Sequence, residues 1–286
     1  ALLPERGRRA AGMIRAILVA VAGLMSASAG HAAEAVLLHA AGSLRVALTE
    51  VAQAFEKAGG APVTTKFGAS GLLRDEIAGG ARAEVFASAN MEHPQALVEA
   101  GRSGPAVLFA RNRLCALARP GLDVTTETLV ARMLDPAVKL GTSTPKADPS
   151  GDYAWEAFRK IEAVRPGSFA ALDAKALQLT GGPTSPTPPP DRSLYGLLVE
   201  RGEADLFLTY CTNARDAVAE VRDARLIELP EAVAVGADYG LTVMNGASAA
   251  ALRLALFILS AEGQRLIAAH GFAAPNLVQP GQKSPG

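Results

Sequence analysis

Val36-Leu37-Leu38-His39-Ala40-Ala41-Gly42-Ser43-Leu44 and Val63-Thr64-Thr65-Lys66-Phe67-Gly68-Ala69-Ser70-Gly71 share one plan: a strand-like run, a turn of small residues, then the start of a helix. After the first turn, Leu44, Ala47, Leu48, Val51 and Phe55 fall at i, i+3, i+4, i+7 and i+11, one face of a helix that Gly59-Gly60 ends. After the second, a helix over 72–78 runs into Gly79-Gly80, and Glu84–Ser88 supplies a third strand. The first hundred residues therefore read as a βαβαβ unit. The same alternation continues along the chain and indicates an α/β fold, a mostly parallel sheet covered by helices.

In open sheets of this kind ligands bind beyond the carboxyl ends of the strands, where Ser43 and Ser70 both lie. A helix start leaves backbone N–H groups unpaired and carries about half a positive charge, so two such starts facing one cleft would hold an anion without a lysine. The competing reading makes Ser43 and Ser70 ordinary N-caps, worth roughly 1 kcal/mol each. The Gly and Ala neighbours, which let a ligand approach the backbone, favour the anion.

Residues 1–32 read as upstream sequence and a secretory signal peptide: Met13-Ile14-Arg15 leads into the apolar run Ala16–Met25 and then into small residues that fit a cleavage site. The run is too short for a membrane-spanning helix. Of the 28 basic and 28 acidic residues, four arginines and Glu5 lie in this segment, which leaves 24 and 27, a net charge of −3. That balance argues against nucleic acid as a partner. The remaining 254 residues suit one large α/β unit or two lobes. Cys115 and Cys211, in a chain bound for an oxidising compartment, are either a disulfide or two buried small apolar residues. His39, His93 and His270 show no ligand spacing, so direct metal coordination is not expected.

Ala41-Gly42-Ser43-Leu44, Phe67-Gly68-Ala69-Ser70-Gly71 and Gly80-Ala81-Arg82-Ala83-Glu84-Val85-Phe86-Ala87-Ser88-Ala89, at this spacing, resemble the periplasmic molybdate-binding proteins of ABC importers. The likeness continues through Phe109–Leu114, Asp148-Pro149-Ser150-Gly151-Asp152-Tyr153-Ala154, Glu200–Asp205 and Thr209-Tyr210 to Ser260–Gln264 and His270-Gly271-Phe272. It implies a two-lobed type II periplasmic-binding fold with the ligand cleft between the lobes. The lobes would be 33–110 plus 237–286, and 111–236, crossed by strands at Asn112–Ala118 and Asp238–Met244. Hinge closure is the motion expected of such a fold.

Carried over residue by residue, the resemblance implies Ser43 and Ser70 as hydroxyl and amide donors, a backbone amide at Ser150, and Tyr210 as a phenol donor. Molybdate would thus be held as an oxyanion by Ser43, Ser70 and Tyr210, not as a coordinated metal. Read from the residues alone, Ser150-Gly151-Asp152 before the helix-period run Tyr153–Ile161 is a helix N-terminus that serves as an anion site or a plain cap. Tyr210, ending the run Leu206–Tyr210, is a ligand group or a packing residue.

The largest departure from the family pattern is Leu179–Ser193, with Pro183, Pro186, Pro188, Pro189 and Pro190, a composition that excludes helix or central strand. Here Arg192 either reaches the cleft, where its fork of donors would suit sulfate, phosphate or a carboxylate, or pairs with Asp191 or another acid. The proline segment is a lid or a solvated loop.

No Gly-x-Ser-x-Gly elbow, Walker loop or His-Glu-x-x-His is present, and the scattered histidines offer Ser43 and Ser70 no base. The expectation is therefore a monomeric periplasmic receptor, not an enzyme, with no cofactor. It would bind molybdate or tungstate and deliver it to a membrane ABC permease with its ATPase. The alternatives are a receptor for a different small anion with Arg192 in the pocket, and a sensor read by a membrane receptor.

Overall fold

The computed structural model describes residues 34–187, 189 and 191–275, so the expected leader at 1–32 lies outside the described residues. The first half of the chain runs β1 (Val36–Ala41), α1 (Arg45–Lys57), β2 (Val63–Gly68), α2 (Ser70–Ala78), β3 (Val85–Ser88), α3 (Glu92–Glu99) and β4 (Val107–Ala118). There follow α4 (Leu129–Leu134), β5 (Leu140–Ser143), α5 (Pro149–Val164), α6 (Ser168–Lys175), β6 (Leu177–Thr180) and α7 (Leu194–Glu200). The chain closes with β7 (Leu206–Tyr210), α8 (Cys211–Glu220), β8 (Arg225–Glu228), β9 (Gly236–Val243), α9 (Ala249–Leu259) and α10 (Ala261–Ala269).

Among the described residues the strands form one nine-stranded sheet in the order β2-β1-β3-β9-β4-β7-β5-β6, with β8 also paired to β4. β1 is parallel to both β2 and β3, the expected βαβαβ unit, and β5 is parallel to both β6 and β7. β4 joins these two parallel sets. Its residues 107–113 pair antiparallel with β9, and its residues 114–118 pair antiparallel with β7 and β8. The crossing strand thus begins at Val107, five residues before the expected Asn112. The return crossing is made by Val235, whose carbonyl accepts from the Leu114 amide at 3.0 Å, just ahead of β9.

The period-two rule of strands explains why so many strand residues are apolar. Leu114, Ala116 and Ala118 of β4 face a core built with Phe158, Ile161 and Leu172, whereas Cys115 and Leu117 face a second core built with Leu198, Val199 and Ala217. β3 divides likewise: Val85 and Ala87 join the core under α1 and α9, and Phe86 packs with Leu73, Ile77 and Leu97 on the other side. Each large side chain so buried contributes roughly 1.5–3 kcal/mol.

Cys115 and Cys211 form a disulfide, with their Cα atoms 4.9 Å apart. It ties the second half of β4 to the first residue of α8. Among the described residues no helix is long and apolar enough to cross a membrane, and no group of three or more His, Cys, Asp or Glu residues is placed to hold a metal ion.

The two cysteines are 96 residues apart. Closing a loop of that size removes on the order of 4 kcal/mol of disorder from the unfolded chain. Replacing both by serine is expected to lower Tm by roughly 10 °C in thermal unfolding followed by circular dichroism. Adding reductant should lower the wild-type Tm without changing that of the variant.

Candidate anion-binding site

One cavity of about 560 Å³ opens between the carboxyl ends of the two parallel strand sets. Ala41–Ser43, Arg45, Val46, Phe67–Ser70, Leu72 and Ala89 line one wall, and Asp148, Thr180–Gly182, Ser185–Thr187, Pro189, Asp191–Tyr195, Tyr210 and Asn213, Asp216 and Glu220 of α8 line the other. Ser43, Ser70, Tyr210 and Arg192 all border it, while Ser150 lies beneath the lining surface, fully buried.

Neither Ser43 nor Ser70 caps its helix. The N-cap positions are Ala41 for the short 3-10 turn Gly42–Leu44 and Ala69 for α2, and neither receives a side-chain hydrogen bond. The serine hydroxyls are used otherwise. The Ser70 Oγ accepts from the Ala89 amide at 3.1 Å. The Ser43 Oγ lies 3.0 Å from the Tyr239 hydroxyl, whose oxygen in turn accepts from the Asn112 amide nitrogen at 3.4 Å. With Asn112 donating to Tyr239, either hydroxyl of the Tyr239–Ser43 pair can supply the hydrogen between them. The Ser70 oxygen therefore accepts from the chain and its hydrogen remains to be donated, and the Ser43 hydrogen is available to a ligand when Tyr239 supplies the hydrogen of their bond.

Tyr210 supplies a third donor of the same kind. It ends β7, is 2 % exposed, and its hydroxyl has no hydrogen-bond partner. Its ring is clamped between Tyr153, 6.2 Å away, and Tyr239, 5.6 Å away, centroid to centroid. Burial pushes all three phenols well above the usual range, so they stay protonated. Leaving a buried hydroxyl unpaired costs roughly 1–3 kcal/mol, a cost that an acceptor brought by a ligand removes. Tyr153 itself donates to the Ala89 carbonyl at 3.2 Å, and the Gly71 amide donates to the Ala147 carbonyl at 2.9 Å. These two bonds span the cavity from one strand set to the other.

Ser150 is placed differently from what the family resemblance implies. α5 starts at Pro149 and its N-cap is Asp148, whose Oδ1 accepts from the Ser150 amide at 3.0 Å. The amide expected to face an anion is thus taken by the chain's own carboxylate, while the Ser150 hydroxyl is buried without a partner. Burial raises the Asp148 carboxyl to about 6 in spite of this bond and of the nearby Ser143 hydroxyl.

Arg192 reaches the rim of the cavity, but its guanidinium is engaged by Glu200 at 3.1 Å and Glu220 at 3.3 Å. Of the two alternatives for this residue the structure shows the ion pair, with partners other than Asp191. The proline segment forms part of the cavity wall through Ser185, Pro186, Thr187 and Pro189. A turn anchors it, the Gly182 amide donating to the Ser185 Oγ at 2.9 Å.

Sequence reasoning missed four contributors: Arg45, Asp148, Tyr153 and Tyr239. Arg45 stacks on the Phe67 ring at 5.0 Å, borders the cavity, and makes no ion pair among the described residues. Asp148-Pro149 was legible as an N-cap followed by proline at the first helical position. Tyr239 and Tyr153 meet the site only through the fold and have no local signature.

The sequence model of the bacterial extracellular solute-binding proteins matches residues 36–273. A protein of Pasteurella multocida, PM1146, is 36% identical over 239 residues, covering 83% of this chain and 98% of its own. The molybdate-binding protein ModA of Mycobacterium tuberculosis is 29% identical over 289 residues, covering 92% and 97%. Among solved structures, the periplasmic molybdate-binding protein of Azotobacter vinelandii superposes with a TM-score of 0.68 at 19% identity, over 84% of this chain and 99% of that one. The sulfate-binding protein SubI of Mycobacterium tuberculosis superposes with a TM-score of 0.68 at 17% identity, over 85% and 88%. These structural likenesses place the chain in the two-lobed type II periplasmic-binding fold.

A carboxyl raised from 3.8 to about 6 favours its protonated form in the folded state. Its stabilising effect is present below about pH 4 and is lost as pH rises through about 6. Asparagine keeps the cap without the charge. Asp148→Asn is therefore expected to raise Tm at pH 8 by several degrees relative to wild type, with the difference shrinking at pH 4. Thermal unfolding at both pH values checks this.

Proposed function

The chain belongs to the bacterial extracellular solute-binding proteins, and from that membership we propose that it captures a small tetrahedral oxyanion, molybdate or tungstate, and delivers it to a membrane ABC permease with its ATPase. The receptor would work in the periplasm as a monomer, with lobes at 33–110 plus 237–286 and at 111–236 closing on the anion. The observation that carries this reading is the convergence of three hydroxyls, from Ser43, Ser70 and Tyr210, on one cavity.

The physical case rests on neutral donors. Hydrogen bonds to a charged partner contribute roughly 1.5–3 kcal/mol each. Three of them reach about 5–9 kcal/mol, the scale of micromolar binding, before any contribution from Arg45. Arg45 adds a cation that is stacked and, among the described residues, not ion-paired, and so remains able to attract an anion. The relatives and structural neighbours named for molybdate support that choice of anion, while the neighbour named for sulfate keeps sulfate within the same class.

A second reading, an anion larger than one tetrahedral group, is favoured by the cavity volume of about 560 Å³, which exceeds what such a group fills. Small-ligand sites of roughly 300–1,000 Å³ commonly hold whole organic molecules. Arg192, already paired with Glu200 and Glu220, adds nothing to that reading.

Isothermal titration calorimetry against molybdate, tungstate, sulfate and phosphate tests both readings. One-to-one binding of molybdate and tungstate is the expected result, and silence toward all four supports the larger ligand. Ser43→Ala, Ser70→Ala and Tyr210→Phe should each weaken the binding at least tenfold while the circular dichroism spectrum stays unchanged. Affinity unaltered in all three would remove these hydroxyls from the site.

A further inference from the structure

Asp148 is a carboxylate in the wall of the cavity that Ser43, Ser70 and Tyr210 also line. One of its oxygens, Oδ1, is committed to the Ser150 amide. The other, Oδ2, lies against Gly181, where a Cβ would stand 2.4 Å from it. Gly181 has φ +73°, so the backbone there both needs glycine and leaves the carboxylate room. On the same wall the buried Tyr210 hydroxyl has no partner within the chain. A negative oxygen and an unused hydrogen donor thus border one space.

Among the described residues no cation pairs with that carboxylate. The groups that face it are the Ser143 hydroxyl from β5, the phenols Tyr195 of α7 and Tyr210 of β7, and Asp152 one turn along α5. Asp152 accepts from the Lys146 amide, and its negative charge raises the Asp148 carboxyl further. The remaining charges at the cavity belong to Arg45 across it, to Asp191, Asp216 and Glu220, and to Arg192, whose charge Glu200 and Glu220 already hold. A fully ionised oxyanion placed among the three hydroxyls would share the cavity with the Asp148 carboxylate, two negative groups with no cation paired to that carboxylate among the described residues. A single hydrogen removes that repulsion and turns it into a short, charge-assisted bond.

We propose that Asp148 is a specificity-determining residue and that the cleft takes its oxyanion together with one proton, shared between the anion and the Asp148 carboxyl. This rests on the oxyanion reading given above and states what that anion must bring with it. The proton has two sources. Hydrogen phosphate and hydrogen arsenate carry it into the site. Molybdate, tungstate and sulfate, fully ionised at neutral pH, do not, so Asp148 takes it up from solvent as they bind. A raised carboxyl makes that uptake easier but is not what requires it; what requires it is the place of Asp148 on the wall of the cavity that Ser43, Ser70 and Tyr210 also line.

The test is calorimetric titration of the wild-type protein and of Asp148→Asn with molybdate and with phosphate at pH 6, 7 and 8. Each titration is run in two buffers of different ionisation enthalpy, so that the difference in heat counts protons. Wild type is expected to take up close to one proton per molybdate at pH 8, and its molybdate affinity should fall about tenfold per pH unit between 7 and 8. Phosphate binding at pH 7 should take up fewer protons than molybdate binding. In Asp148→Asn the uptake disappears, the molybdate affinity becomes flat with pH, and at pH 8 it exceeds that of wild type at least tenfold. Tight molybdate binding to wild type with no proton uptake and no pH dependence overturns this inference and leaves the oxyanion reading standing. So does the same linkage persisting in Asp148→Asn. Absence of binding for both anions in both proteins overturns the oxyanion reading and this one together. The wild-type proton count needs no variant, so a variant that failed to fold would not blunt the test.

Discussion

The site exists because one strand changes partners partway along its length. β4 pairs with β9 up to Arg113 and with β7 and β8 from Leu114 onward. That exchange makes a single sheet out of two parallel sets, and it turns the carboxyl ends of β1 and β2 toward the carboxyl end of β7. Asn112, one residue before the exchange, links the two sets through its side chain, donating to Thr212 at 2.9 Å and to Tyr239 at 3.4 Å. The Cys115–Cys211 bond lies just beyond the exchange and holds the start of α8, the residue after Tyr210, against the same strand. The position of the Tyr210 phenol is thus set by covalent and hydrogen-bonded ties to β4 on both sides.

The polar groups around the cavity are joined in a chain of hydrogen bonds. Asn112 donates to Tyr239, and Tyr239 shares a hydrogen bond with Ser43 at the edge of the cavity. Chains of this kind polarise one another and gain strength where the surroundings are dry. They also account for the use of neutral donors: a lysine in so buried a place would lose its hydration and need a partner, whereas a hydroxyl costs much less to bury. Arg45 keeps its charge at the rim, with Phe67 covering one face of it.

Local signals read well from the chain, and long-range ones did not. β1, α1, β2 and β3 lie within a residue or two of their expected limits, because each is bounded by glycine or by a change of period. α2 begins at Ser70 and α5 at Pro149, earlier than the apolar period suggests, since their first turns bury small residues that carry no periodic mark. The serines were legible as residues at strand ends. Their role as capping residues, also considered, fails because alanines occupy both N-cap positions. The Tyr239 hydroxyl that bonds Ser43 is 196 residues away, beyond the reach of any window of sequence.

Asp148 shows why a helix start and an anion site are not interchangeable. The same unpaired amide serves a side-chain carboxylate or an external oxyanion, and it has room for one of them. In this chain the carboxylate has taken the Ser150 amide, so α5 is stabilised whether or not a ligand is present, and the electrostatic gain of that helix end is spent internally. What the wall of α5 then offers a ligand is an acceptor instead of a donor. The opposite wall, with Ser43, Ser70 and Arg45, still offers donors. A cavity with donors on both walls and an acceptor on one is complementary to an anion that is itself asymmetric, bare oxygen over most of its surface and a hydrogen at one point.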